Sequence, residues 1–322
     1  MRTVFAGIAA VMLAVVAASA VAQSYPSRLI RLIVPFPPGG AVDLLGRGVA
    51  QQLGEQTGQS VVVDNRGGAA GIIGSDALAK AAADGYTIGV IPDVLFSIYP
   101  HIYAKLPYSA GEFAPVTLAI TLDMALFAHP SVAASTLQEI IALAKTKPDL
   151  FSFGTPGTGS PMHLAGELIN KMAGIRMVHV PYKGGGPATA DAIAGQIPLL
   201  IAGLAPALPQ VKAGKLKTIA VLDSRRSALA PEVPTMAEAG LAGFQVSSWI
   251  GFFAPSGTPP EILERLNQEI VKALNSPALN SRLVSSGMAV VGSTRAALAA
   301  RIRDDSDVWV RVIREAGVRL EQ

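Results

Sequence analysis

Short apolar runs alternate along this chain with segments whose apolar residues recur every third or fourth position, and that alternation predicts an α/β protein with mostly parallel sheets. Residues 29–34 read as a buried strand and residues 43–53 as a helix with Leu44, Leu45, Val49 and Leu53 on one side. A second strand is expected at 60–63. A Gly-rich turn at 65–74 then opens a helix reaching residue 82, and the Asp84-Gly85 turn leads into a third strand at 86–91. The apolar stretch at 115–127 is longer than an ordinary strand of about 5 to 6 residues. It is therefore expected to cross between two sheets, hinged at 122–124. Beyond it a second α/β set is expected, with helices at 137–145, 161–173 and 188–194 and strands at 151, at 177–180, near 199 and at 218–222. A return through 244–253 supplies a second crossing. Helices at 259–275, where Ile262, Leu266, Ile270 and Leu274 are spaced by four, and at 294–316, ended by Gly317, are expected to pack back on the first lobe. The partition this gives is 23–123 with 248–322 as lobe one and 124–247 as lobe two, each with a central sheet.

The first 22 residues are set apart. Arg2 precedes an unbroken apolar stretch at 8–18, and Ala20-Val21-Ala22 places small residues before Gln23, the pattern of a secretory leader cleaved after Ala22. That stretch is shorter than the about 20 residues a membrane span requires. Without the leader 300 of the 322 residues remain, enough for two units of about 100 to 200 residues each. The chain has no cysteine, which excludes disulfides, thiol catalysis and a lipobox tether. Formal charge drops from +3 to +2 as Arg2 leaves, and the 26 Lys and Arg are interspersed with 23 Asp and Glu, so no nucleic-acid patch is formed. An exported, soluble, monomeric protein is expected.

One device occurs twice. Leu32, Ile33 and Val34 run into Pro35-Phe36-Pro37-Pro38-Gly39-Gly40 and then a helix beginning near Asp43; Phe151, Ser152 and Phe153 run into Gly154-Thr155-Pro156-Gly157-Thr158-Gly159-Ser160 and then a helix holding His163. Helix N-termini present unpaired N–H groups and a positive partial charge, so two of them facing each other would clamp an anion such as a carboxylate. In the second copy Ser160 is placed as N-cap and Pro161 as first helical residue, leaving N–H groups around Met162 and His163 to point outward. Thr155, Thr158 and Ser160 would add hydroxyl donors. His163, in the first helical turn, is expected to be neutral, serving either the solute or a nearby backbone group. Asp43 complements the helix dipole with or without a ligand. Asn65 and Arg66 precede a third Gly-rich turn beginning at Gly67, where Arg66 would pair with a ligand acid or with an internal one. Tyr182-Lys183-Gly184 opens a flexible loop, with Lys183 either at the cleft or simply solvated, and Trp249 reads as hinge packing.

Other chemistries lack support. The four histidines, His101, His129, His163 and His179, have no i, i+4 pair, so no metal is expected. Gly157-Thr158-Gly159-Ser160-Pro161-Met162 carries Met where a dinucleotide fingerprint has its third Gly, there is no P-loop run, and Ser160 lacks the nucleophile elbow. No cofactor and no catalytic residue is expected.

Ile33-Val34-Pro35-Phe36-Pro37-Pro38-Gly39-Gly40 with Asp43, Val63-Asp64-Asn65-Arg66, Asp84-Gly85-Tyr86, His163-Leu164-Ala165-Gly166-Glu167, Val178-His179-Val180-Pro181-Tyr182-Lys183-Gly184, Ala213-Gly214-Lys215-Leu216 and Ala254-Pro255-Ser256-Gly257-Thr258-Pro259 occur in order over essentially the whole mature chain. In these strings the chain resembles the Bug family, the extracytoplasmic solute receptors of tripartite tricarboxylate transporters. The resemblance implies a periplasmic Venus-flytrap fold that holds a carboxylated solute largely by main-chain groups and water, and delivers it to a membrane transporter. It places Phe36 to Asp43 and Gly154 to His163 on the two sides of the cleft, with Tyr182 to Gly184 flanking. The chain departs from the pattern at Pro92-Asp93-Val94-Leu95-Phe96-Ser97 and at Ile197-Pro198-Leu199-Leu200-Ile201-Ala202-Gly203, which implies a more apolar cleft wall and a monoacid or aromatic acid rather than a polyacid. A solute sensor with a membrane partner and an exported hydrolase are the alternatives.

Overall fold

A computed structural model describes residues 25–146 and 151–316; the expected leader and Gly317 lie outside the described residues. In chain order the elements are β1 (Ile30–Val34), α1 (Ala41–Thr57), β2 (Val61–Asn65), α2 (Ile72–Ala79), β3 (Thr87–Pro92), α3 (Val94–Ser97), α4 (Tyr99–Ile102) and β4 (Phe113–Leu122). They continue with β5 (Met124–Ala128), α5 (Leu137–Thr146), β6 (Ser152–Thr155), α6 (Pro161–Ala173), β7 (Val178–Pro181), α7 (Gly185–Ile193), β8 (Leu199–Gly203), α8 (Leu204–Lys212) and β9 (Lys217–Val221). The last group is β10 (Ser248–Pro255), α9 (Pro260–Leu274), α10 (Pro277–Ser285), β11 (Met288–Val290) and α11 (Arg295–Ala316).

Two sheets result, ordered β11-β4-β10-β3-β1-β2 and β7-β6-β8-β5-β9. Only their outer halves are parallel, β2-β1-β3 in one and β7-β6-β8 in the other. The sheets are mixed rather than mostly parallel because the strands next to the crossing, β4, β5 and β10, run against their neighbours. β4 leaves the first sheet at Leu122 and β5 enters the second at Met124, with Asp123 alone between them.

Burial explains the strands. β10 is buried at all eight positions, and its side chains alternate: Ile250, Phe252 and Ala254 join one core with Leu32 and Ile270, whereas Trp249 and Phe253 join another with Leu95 and Phe96. Helices thus cover both faces of this sheet. α1 buries Leu45, Val49 and Leu53, one apolar stripe four residues apart. α6 lies so close to its sheet that a Cβ on Gly166 would fall 2.1 Å from the Phe153 ring, so glycine is required there.

The C-terminal helix corrects one expectation. Leu298 of α11 packs in a lobe-one core, but Trp309, Val312 and Ile313 sit in a cluster with Leu164 and Ile169 of α6 as well as Ile98 and Ile102. The helix therefore bridges the lobes instead of packing on one, and it buttresses the crossing. Trp249 donates its Nε1–H to Asp305 at 2.6 Å, and Arg301 bonds both Asp305 and the Ser247 hydroxyl.

Candidate functional site

The turn after β1 and the turn after β6 border one cavity of about 600 Å³. From the lobe-one side come Phe36, Pro37, Gly40, Ala41 and Val42, and from the lobe-two side Pro156, Gly157, Thr158, Gly159, Ser160, Pro161 and Met162. Both turns follow from the local sequence. A parallel strand ends, prolines and glycines forbid its continuation, and the next helix starts at the sheet's carboxyl edge, where α/β proteins place ligands.

The free donors differ between the two turns. On the first, Leu44 N–H bonds the Gly40 carbonyl and Gly39 N–H bonds Asp43 Oδ2, whereas the N–H groups of Gly40, Ala41 and Val42 have no partner among the described residues. On the second, much of the donor set expected for the solute is consumed internally. Ser160 caps His163 N–H and donates its own hydroxyl to the Gly157 carbonyl at 2.7 Å; Gly159 N–H bonds His163 Nδ1 at 3.1 Å. The N–H groups of Thr158 and Met162 and the Thr158 hydroxyl remain without a partner among the described residues.

Asp43, Thr155 and His163 do not border the cavity; each braces a turn from behind. Asp43 is 4% exposed and accepts from Gly39 N–H, Arg47 Nε and Asn65 Nδ2, at 3.0, 3.0 and 2.8 Å. Burial alone would raise its pKa, but these donors outweigh it and hold the carboxyl below the usual range. Asn65 also donates to the Phe36 carbonyl, tying β2 to the first turn. Thr155 is fully buried with its hydroxyl 2.7 Å from His179 Nε2. His163 stacks on His179 with ring centroids 3.9 Å apart. Since Gly159 donates to Nδ1, His163 is neutral with its proton on Nε2, and burial lowers its pKa. Burial, with the His163 ring second, brings His179 down to about 4.

The remaining expected residues also lie off the cavity wall. Pro38 and Gly39 are exposed at the outer edge of the first turn, and a Cβ on Gly67 would meet Pro37 at 3.1 Å, so Gly67 backs that turn. Arg66 pairs with Asp64, the internal alternative. Tyr182 donates to Asp191 and Lys183 is exposed, while Gly184 N–H bonds the Pro156 carbonyl and fixes the second turn.

The structure adds wall residues that the sequence reading did not place there, Ala70, Tyr99, Tyr103, Leu122, Ser248 and Ile250, beside Pro92, Asp93 and Val94. Ala70 carries a left-handed φ of 54°, unusual for a residue with a Cβ. Of the two departures, only Pro92 to Val94 reaches the cavity; residues 199–203 form β8, whose Leu199, Leu200 and Ile201 are core. Among the lining residues there is no Lys, Arg or His.

Residues 45–318 match the family model described as tripartite tricarboxylate transporter family receptor. The chain is 38% identical over 308 residues to the protein BugT of Bordetella pertussis, a match covering 95% of this chain and 94% of that one. A structure of Rpa4515 from R. palustris with adipate superposes with a TM-score of 0.78 at 32% identity, covering 92% of this chain and 99% of the other. A structure of the periplasmic binding protein BugD gives a TM-score of 0.75 at 31% identity, covering 92% and 100%. The matched family is thus one of receptors, and BugD is a periplasmic binding protein of the same fold.

Proposed function

This chain belongs to the tripartite tricarboxylate transporter receptor family, and we propose that it is a periplasmic receptor, monomeric, which captures a small carboxylated organic solute between its lobes and delivers it to a transporter of that type. The observation that carries the reading is the shared cavity: two Gly-rich turns, one from each sheet, border it with unpaired N–H groups, and no cationic side chain lines it. With backbone N–H groups at two helix starts as the available positive ends, a carboxylate is the solute group that fits. A similar structure is one with adipate, a dicarboxylate, which supports a carboxylated solute as the class.

Capture proceeds by population shift. A carboxylate touching one turn gains little, since water competes; a carboxylate bridging both is bound better by the closed form, and that difference in affinity drives closure. Single-strand links at Asp123 and before Ser248 are where the backbone would bend, with residues 23–123 and 248–322 moving against 124–247. A transporter would then read the closed shape. The wall of Phe36, Val42, Tyr99, Leu122, Met162 and Ile250 favours an apolar or aromatic monoacid over a polyacid.

Calorimetric titration with mono-, di- and tricarboxylates tests this directly. Monocarboxylates with an apolar body should bind, and binding by polyacids alone would reject the solute class. Gly40→Val is the sharper probe. A Cβ at Gly40 meets nothing within 4 Å and its φ of −84° suits any residue, so the fold should be kept while the side chain occupies the anion position. Affinity should fall at least ten-fold; unchanged affinity would remove this turn from the site. Gly157 is a poorer position for the same test, because a Cβ there meets the Tyr182 carbonyl at 3.3 Å.

A further inference from the structure

The cavity wall contains a buried acid that the two-turn clamp does not use. Asp93 follows the last residue of β3, is 0% exposed, and donates its N–H to the Trp249 carbonyl at 3.0 Å. Its Oδ1 accepts from the Ser248 hydroxyl at 3.1 Å, and Ser248, like Asp93, borders the cavity. Oδ2 has no partner among the described residues. Buried polar atoms in native proteins are paired in the great majority of cases, so a lone carboxyl oxygen beside a solute cavity is an acceptor awaiting a donor.

We infer that Asp93 is a specificity-determining residue of the cleft, whose free carboxyl oxygen accepts a hydrogen bond from a hydroxyl or amino group carried by the solute. The inference rests on the reading of the cleft as a carboxylate site and names the solute class more closely: a carboxylic acid with an apolar body and a hydrogen-bond donor remote from its carboxylate. Charge fixes the orientation. The solute carboxylate lies at the N–H groups of the two turns, and a second carboxylate turned toward Asp93 would bring its charge against a buried acid with no cation nearby on the wall to offset it. Burial, with Asp305 second, pushes the Asp93 pKa up to about 7, so the carboxyl is poised to gain its charge when a donor arrives. A site built to bond a solute O–H or N–H discriminates strongly against the analogue lacking it, because its own buried group is then left unpaired.

The test is calorimetry on the full mature chain with matched pairs differing by one donor: 4-hydroxybenzoate against benzoate, and 6-aminohexanoate against hexanoate. In at least one pair the donor-bearing acid should bind wild type ten-fold or more tightly than its partner. Asp93→Ala should abolish that preference, bringing the two members of the pair to within about two-fold of each other. Asp93→Asn keeps shape and the Ser248 bond, and should lose most of the preference for the amino acid of the second pair; melting curves confirm that both variants are folded. Equal binding of both members of each pair by wild type, or a preference that survives Asp93→Ala, overturns the role of Asp93. Failure of every acid to bind wild type overturns the reading of the cleft itself.

Discussion

Asp43 and the His163–His179 pair hold the two turns in place without facing the cavity, and each makes a separate prediction. Removing the Asp43 carboxylate strands Gly39 N–H, the Asn65 amide and one Arg47 bond in a buried site, and hydrogen bonds to a charged group contribute about 1.5–3 kcal/mol. Asp43→Ala should therefore lower the unfolding free energy by about 2–3 kcal/mol in urea titration. The histidines act on pH. Unfolded histidine titrates near about 6.5, whereas His179 is brought down to about 4. Between those values the unfolded chain takes up protons that the folded one refuses, so stability falls as pH falls through that window. Asp93, raised to about 7, works the other way, its contribution declining as pH rises toward that value. His179→Gln should retain a bond to the Thr155 hydroxyl and lose the titration. Its melting temperature should drop less than that of wild type between about pH 7 and about pH 5; an equal drop would contradict the assignment. The motif text located both turns and the Ser160 cap, but it also offered the Ser160 hydroxyl to the solute and left His163 between the solute and a backbone group. The cap spacing gave the acceptor for His163 N–H; that the Ser160 hydroxyl donates to the Gly157 carbonyl and Gly159 N–H to His163 Nδ1 depends on side-chain rotamers that no spacing encodes.

Elements were legible to the extent that they are long and periodic. α1, α6 and α9 show their apolar stripes in the sequence, and β10 shows itself as a continuous apolar run. α3 and α4 have four residues each, barely one turn, so no period exists to read, and with them went Tyr99, Tyr103 and the setting of Asp93. For α11 the stripe was readable and its destination was not, because amphipathicity names the buried face and not what covers it. That helix now makes an element-scale prediction. Trp309 is 2% exposed in the cluster that contains residues of both lobes, and truncating a buried tryptophan costs about 3–5 kcal/mol. Trp309→Ala should destabilise the protein by that order in denaturant titration; a loss below about 1 kcal/mol would mean that the helix is only loosely docked.

At the scale of the whole molecule, the account rests on two helix starts, in different sheets, acting on one guest. Neither turn alone distinguishes a receptor from an ordinary strand–helix connection; their common cavity does, and it arises because the chain crosses between sheets at Asp123 and returns at Ser248. The sequence pattern foretold the crossing, since one apolar run was too long for one strand. It did not foretell the third connection through α11, which bears on how freely the lobes can swing. The most direct test is a backbone-amide NMR titration of the mature protein with a carboxylate that binds. The account predicts that the amides of Gly40, Ala41 and Val42 and those of Thr158 and Met162 shift together, with a single saturation curve, as one solute engages both turns. Shifts confined to one turn, or two sets saturating at different concentrations, would contradict it.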